Sequence, residues 1–297
     1  MRVRSSLLHR LLVAVVFFAA FVRCEFAQDC RINTFVRVID KTGQPLVSIT
    51  AAEIRAGING NPVNISSFSP GKPDIILILD ISPSIKRTWN QSLAAARQLV
   101  GKAEKIDTVI FREKVQGYAI GRAKSEQLLD QLSNQGPPSG LGGTALYDTL
   151  VDVAGRVTGH NTALVLISDG GDNLSYHSAR ATASLFLHSS WPPVFALILD
   201  YDEKRIGQRE YLKEISAATG GMIIYPSSAA NVSSATEELA TIVLSPFVMT
   251  LQTHQSKADR AKLKLEAVEP DGKRMKHISL FYAAEVPACD GQRPERH

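Results

Sequence analysis

The chain has 297 residues, with 33 Lys and Arg against 29 Asp and Glu, 44% hydrophobic residues and three cysteines. Arg2, Arg4, Arg10 and Arg23 fall within the first 27 positions against Glu25 alone, so the rest is nearly neutral, with 29 basic and 28 acidic residues. That balance excludes the basic patch of a nucleic-acid binder. The hydrophobic content excludes extended disorder and supplies the core of one large or two small domains.

Arg2, Arg4 and Arg10 precede an uncharged apolar run at residues 11–22. The run is too short for an ordinary membrane span, and charge followed by an apolar stretch is the pattern of a secretory signal. Residues 1–27 are therefore expected to be a leader cleaved after Ala27, leaving a secreted, envelope or periplasmic chain without a membrane span. Cys24 follows Arg23, where a lipid-modified cysteine needs a small residue. Cys30 and Cys289 remain at the two ends of the mature chain, and in an oxidising compartment a disulfide between them is expected. It would be worth at most about 5 kcal/mol in the chain-entropy model. Two free thiols are the alternative.

Residues 28–72 read as an amino-terminal β segment: 34–39 are apolar and β-branched, Lys41 to Pro45 and Asn59 to Pro62 are turns, and a short helix fits only at 50–54. Residues 66–73, rich in Ser and Pro, read as a linker. The texture then changes. Residues 74–81 form a continuous apolar run, followed by helical spacing over 88–104, strands at 107–111 and 116–120, and a helix at 125–135. The Gly-rich loop 136–143 leads into a helix at 145–157. ALVLIS within 162–168 and VFALIL at 194–199 are two more strands of the type buried on both faces. Helices at 178–189, 209–219 and 232–244 and a strand at 222–225 complete the alternation. Residues 73–246 are thus expected to form a doubly wound, mostly parallel, Rossmann-like α/β domain. Residues 247–290 return to β texture and are expected to pair with the amino-terminal segment as one small β domain, followed by a tail at 291–297.

In such sheets ligands bind at the carboxyl ends of the strands. The loops there carry Asp80, Ser82 and Ser84 after the first buried run, Thr144 after the glycines, and Asp169 after ALVLIS. All are oxygen donors, and such a set selects a hard cation: Mg²⁺, with Mn²⁺ possible. Two carboxylates neutralise a dication without overwhelming it, which leaves affinity for an incoming anionic oxygen. Taken singly, Asp80 would read as a turn cap and Thr144 as a helix N-cap. Asp148 is explained by a helix amino terminus and Asp172 by the turn after Asp169. His177 and His188 read as surface or packing residues.

The set D-x-S-x-S, then a distant Thr, then a distant Asp, resembles the metal-ion-dependent adhesion site of von Willebrand factor type A domains. Over about 175 residues the resemblance implies direct metal coordination by Ser82 and Ser84, coordination by Thr144 directly or through water, and largely water-mediated coordination by Asp80 and Asp169. Pro83 stands where that family often has Gly. The flanking β segments resemble those of secreted bacterial relatives. The implied function is a non-enzymatic module whose metal grips an Asp or Glu of a protein partner. Two alternatives stay open. One is a Mg²⁺-dependent phosphohydrolase of the haloacid dehalogenase type using Asp80, although Ser82 stands where its second Asp is needed. The other is a structural module with an unoccupied metal site.

Overall fold

The computed structural model describes residues 30–157, 161–189, 191–199, 206–253 and 260–287. The expected leader, its cleavage site, the tail, Cys24 and the Cys30–Cys289 pairing lie outside the described residues. The chain opens with strands β1 (Cys30–Asp40), β2 (Ile54–Ile58) and β3 (Asn61–Pro70). The α/β unit follows with β4 (Asp74–Asp80), α1 (Trp89–Lys102), β5 (Ile106–Phe111), β6 (Val115–Ala119), α2 (Arg122–Gln135) and α3 (Leu146–Arg156). It continues with β7 (Thr162–Ser168), α4 (Ala179–Leu187), β8 (Val194–Ile198), α5 (Ile206–Thr219), β9 (Ile223–Ile224) and α6 (Val232–Leu244). Strands β10 (Phe247–Thr253), β11 (Arg260–Ala267), β12 (Ile278–Tyr282) and β13 (Glu285–Pro287) close the described chain.

The α/β unit is built on a six-stranded mixed sheet in the order β6-β5-β4-β7-β8-β9. Its pairings are parallel except at the edge, where β6 runs antiparallel to β5. Successive side chains of a strand alternate between faces, and here each face meets its own helical layer. Ile75, Leu77 and Leu79 of β4 pack with α1, α2 and α6, while Ile78 packs with α3, α4 and α5. All seven residues of β7 are buried. Burial on both faces is why these strands read as unbroken apolar runs rather than alternations.

The flanking segments assemble a second, antiparallel sheet in the order β12-β1-β10-β3-β2-β11-β13. One face is buried around Val36, Ile58, Met249 and Leu265, and its strands keep the alternation of a half-buried sheet, as β10 does. The linker expected at 66–73 is largely absent, because residues 66–70 belong to β3. The Ser66 hydroxyl donates to the Thr250 carbonyl at 3.1 Å, the Ser67 hydroxyl to Thr250 Oγ1 at 2.8 Å, and Phe68 stacks on Phe247 with centroids 4.4 Å apart. Cross-strand partners remote in sequence override the local Ser/Pro composition. The helix expected at 50–54 is a single 3₁₀ turn, Ala51–Glu53, closed by Glu53 Oε2 accepting from the Thr50 backbone N–H and hydroxyl, each at 2.8 Å.

Where the two sheets meet, Arg37 of β1 is fully enclosed. Its guanidinium lies 4.3 Å from the Phe195 ring centroid and donates from Nη2 to the Val243 carbonyl near the end of α6, a long contact of 3.5 Å. Nε and Nη1 have no partner, and burial pushes the group down to about 9. No helix among the described residues is long and apolar enough to cross a membrane.

Candidate metal centre

The two central strands end in acids. β4 closes on Asp80, β7 on Ser168 with Asp169 next, and the sheet order reverses between them. This is the topological switch point, where diverging loops open a crevice at the carboxyl edge of the sheet. Asp80 is 0% exposed and Asp169 7%, so two carboxylates lie inside the protein at one pole.

Hydrogen bonds fix Asp80 from both strands. The Ser82 backbone N–H donates to its Oδ1 at 2.8 Å and the Ser168 hydroxyl to its Oδ2 at 2.7 Å. Ser168 Oγ in turn accepts from the Gly170 N–H at 2.9 Å, which fastens the turn carrying Asp169. That turn needs Gly170 in the left-handed region, at φ 77°. Asp169 Oδ1 accepts from the Gly171 N–H at 3.0 Å. Burial, and to a smaller extent the charge of Asp169, push Asp80 up to about 6 against the hydrogen bonds from Ser168 and Ser82. Two largely buried carboxylates thus share this pole, and the charge of Asp169 disfavours that of Asp80.

Beyond Asp80 the chain turns through extended Ser82 into the 3₁₀ turn Pro83–Thr88. Pro83 sits at the first helical position, where its fixed φ is pre-organised and its missing N–H is not needed. The turn places Ser82 Oγ and Ser84 Oγ 3.0 Å apart, the first residue buried and the second exposed at the mouth. Neighbouring ligands of an octahedral Mg²⁺, each about 2.1 Å from the ion, are themselves about 3 Å apart. The hydroxyl pair has that spacing.

Thr144 is buried at the start of α3. It does not occupy the N-cap: Ala145 does, and the free N–H of Tyr147 is taken by Asp172 Oδ2 at 3.1 Å. Asn173 holds Thr144 in place instead, accepting from the Thr144 N–H at 2.7 Å and donating its own N–H to the Thr144 carbonyl at 3.0 Å. Gly143 beside it leaves room for the side chains of Asn173 and Leu174, which a Cβ there would have to displace. Asp80, Ser82 and Ser84 are thus linked directly, Asp80 feels Asp169 electrostatically, and Thr144 joins the loop of Asp169 through Asn173.

Asp148 and Asp172 keep their expected places, in the first turn of α3 and in the turn after Asp169, and act as latches besides. Asp148 lies in the first turn of α3, yet it accepts from the Tyr176 and His177 backbone N–H groups at 2.7 and 2.9 Å and pairs with His177 Nδ1 at 2.7 Å. Asp172 reaches back to cap α3 and accepts from the Ser175 hydroxyl at 2.5 Å. The loop after β7 is therefore strapped to the helix that follows Thr144. Ser168 and Asn173 were not among the expected site residues. Ser168 had a signal, as the one hydroxyl ending an apolar strand just before Asp169; Asn173 had none, since its partner lies 29 residues away.

Among the described residues no three or more His, Cys, Asp and Glu side chains cluster. The donors at this pole are two carboxylates and three hydroxyls, which fits a hard divalent cation and not a thiolate- or imidazole-bound one.

Fold and site together define a class: a doubly wound α/β domain with an oxygen-donor pole at its switch point, which is a von Willebrand factor type A-like arrangement. No protein-family model matches the chain, and no curated protein sequence matches it. Among solved structures, the chain is similar to a von Willebrand factor type A protein from Catenulispora acidiphila, at 11% identity and TM-score 0.46, over 89% of this chain and 76% of that one. It is similar to proximal thread matrix protein 1 from the mussel byssus, at 17% identity and TM-score 0.46, over 65% of this chain and 51% of that one. It is also similar to an aerotolerance-related membrane protein from Bacteroides fragilis, at 20% identity and TM-score 0.44, over 58% of this chain and 98% of that one. The chain spans about half the length of the mussel protein it matches.

Proposed function

We propose that the protein is a secreted or envelope binding module that holds Mg²⁺ or Mn²⁺ at Asp80, Ser82, Ser84, Thr144 and Asp169 and uses it to grip an Asp or Glu side chain of a protein partner. The observation that carries this reading is the burial of two carboxylates beside a hydroxyl pair at ligand spacing, at the switch point of the sheet. Buried acids that repel one another are stabilised by a dication. With only two formal negative charges around it, the dication is balanced but not over-compensated and keeps affinity for an external anionic oxygen, and Ser84 stands exposed where that carboxylate would enter.

The phosphohydrolase reading draws less support. A nucleophilic aspartate needs an accessible oxygen, whereas Asp80 is enclosed and each of its oxygens already accepts a hydrogen bond.

Titration calorimetry with Mg²⁺ and Mn²⁺ tests the proposal. Binding to the wild type is expected, with a loss on the order of 10–100-fold or more in Asp80→Ala. No heat of binding for either ion in the wild type would leave a structural module without a working metal site.

A further inference from the structure

Seven large hydrophobic side chains stand exposed among the described residues, and three of them, Leu141, Leu174 and Tyr176, belong to the two loops that frame the candidate centre. Leu141 is 100% exposed, Tyr176 93% and Leu174 51%. Scattered apolar residues on a surface need no explanation, but a group gathered beside a polar pocket marks an interaction site.

The backbones of Leu174 and Tyr176 are held in place. The Asn173 and Leu174 backbone N–H groups both donate to the Thr144 carbonyl, at 3.0 and 3.1 Å, and the Leu174 side chain lies against the Gly143 backbone, two residues from Leu141. The backbone of Tyr176 is held by Asp148 while its ring projects outward. Fixing the backbone beforehand lowers the entropic cost of docking a partner on these side chains.

The charged groups around the centre differ in how they are engaged, and Arg112 donates to the Leu141 carbonyl at 3.2 Å. Asp148 and Asp172 are engaged in the latch, and Glu113 lies 3.8 Å from Arg112. On the 3₁₀ turn after Ser82, side chains three apart share a face: Ile85 and Thr88 are buried, Ser84 and Arg87 exposed. Arg87 thus shares a face with the proposed ligand Ser84, and among the described residues neither it nor Lys86 makes an ion pair.

We infer that Leu141, Leu174 and Tyr176 form an apolar shelf on the two loops that frame the metal and Arg87 a cationic post on the turn that carries Ser84. The partner they fit is an exposed protein segment in which a bulky apolar residue and a second acid flank the metal-binding acid. The inference rests on the proposed metal-dependent reading and adds the partner's chemistry to it.

The test uses fluorescein-labelled synthetic peptides in a Ser/Gly background with a central Asp. One set carries Phe and Glu flanking the Asp, in both orders and at several spacings; the control set carries Ser at those positions. Binding to the full chain is read by fluorescence polarisation in Mg²⁺ and in EDTA. In Mg²⁺ the best Phe/Glu peptide is expected to bind at least about tenfold tighter than its Ser control, a ratio read directly as a free-energy difference. Leu141→Ser with Tyr176→Ser should collapse the Phe contribution, and Arg87→Ser the Glu contribution, while Mg²⁺ affinity by calorimetry stays unchanged. Equal affinity of flanked and control peptides, a preference that survives the shelf substitutions, or no binding by any flanked peptide up to about 1 mM would each overturn the shelf. Loss of binding to anionic lipid vesicles in the shelf variant, in place of peptide binding, would overturn it as well. A Phe preference that persists in EDTA and vanishes in the shelf variant would uphold the shelf and overturn the metal reading, so the two failures are distinguishable.

Discussion

The two sheets of this molecule handle buried charge in opposite ways. In the six-stranded sheet both faces are apolar, and the buried acids Asp80 and Asp169 sit where strands β4 and β7 run out. There, strand ends and turns supply donors, and Asp80 receives one on each oxygen. In the seven-stranded sheet the buried charge is Arg37, mid-strand in β1, with two of its nitrogens unpartnered against the α/β unit. A charge buried with its hydrogen bonds in place, at a pole that opens to solvent, is poised for a ligand. A charge sealed between two layers is an expense in stability. On the proposed reading the first belongs to function, and the second belongs to the way the layers were joined.

The sharpest way to break this comparison is to remove the charge of Asp80 without changing its shape. Its pKa is raised from 3.8 to about 6, so its contribution to folding is complete below the unfolded value and is lost as pH rises through about 6. In EDTA, wild-type stability is expected to fall between about pH 4 and pH 7 by on the order of 2–3 kcal/mol from this group alone, since a tenfold change in proton affinity is worth about 1.36 kcal/mol. Asp80→Asn should flatten that slope and be more stable than wild type in chelator near pH 7, while losing the stabilisation that added Mg²⁺ is expected to give the wild type. Urea midpoints at several pH values, with and without Mg²⁺, read both effects. A variant less stable than wild type in EDTA near pH 7 would show that Asp80 is not held at a cost to the fold.

Arg37 gives the next largest effect, and of opposite significance. Burial lowers it only to about 9, so the cation is carried into the seam at neutral pH. Arg37→Met should raise stability by about 1–2 kcal/mol, as replacement of poorly compensated buried charge by apolar volume does, and leave Mg²⁺ affinity where it was. A loss in urea midpoint would mean that packing over Phe195 outweighs the desolvation.

The same contrast governs what the amino acids disclosed. Strands buried on both faces announced themselves as IILILDI, ALVLIS and VFALIL, and a hydroxyl- and acid-bearing phrase at the end of such a run, as at Asp80 to Ser84, stands out because it breaks the apolar pattern. In the antiparallel sheet much of the information lies across strands. Ser66 and Ser67 looked like linker because their partner, Thr250, lies more than 180 residues away. Arg37, inside the stretch read only as apolar and β-branched, bore no mark of its burial, since no local pattern tells that α6 and β8 will cover it. The latch of Asp148 and Asp172 was concealed for the same reason: each aspartate had a sufficient local explanation, and its partners lie on another loop.

That latch gives the smallest effect and the finest test. Asp148 is partly desolvated, which alone would raise it, but the His177 and Tyr176 backbone N–H groups and the His177 ring outweigh this and hold it below its ordinary value of 3.8. Its contribution is therefore present above the unfolded value and is lost only as pH falls below the usual carboxylate range. Asp80 and Asp148, at the same pole, oppose each other in sign. Asp148→Ala removes the acceptor of two backbone N–H groups on a partly exposed loop, with an expected cost of about 1 kcal/mol, and should keep the wild-type pH slope between about pH 4 and pH 7 that Asp80→Asn abolishes. Hydrogen exchange should then show faster amides at Tyr176 and His177 with β4 and β7 unchanged, because the latch fastens the rim of the site and not its floor. Faster exchange in β7 as well would join rim and floor into one cooperative unit.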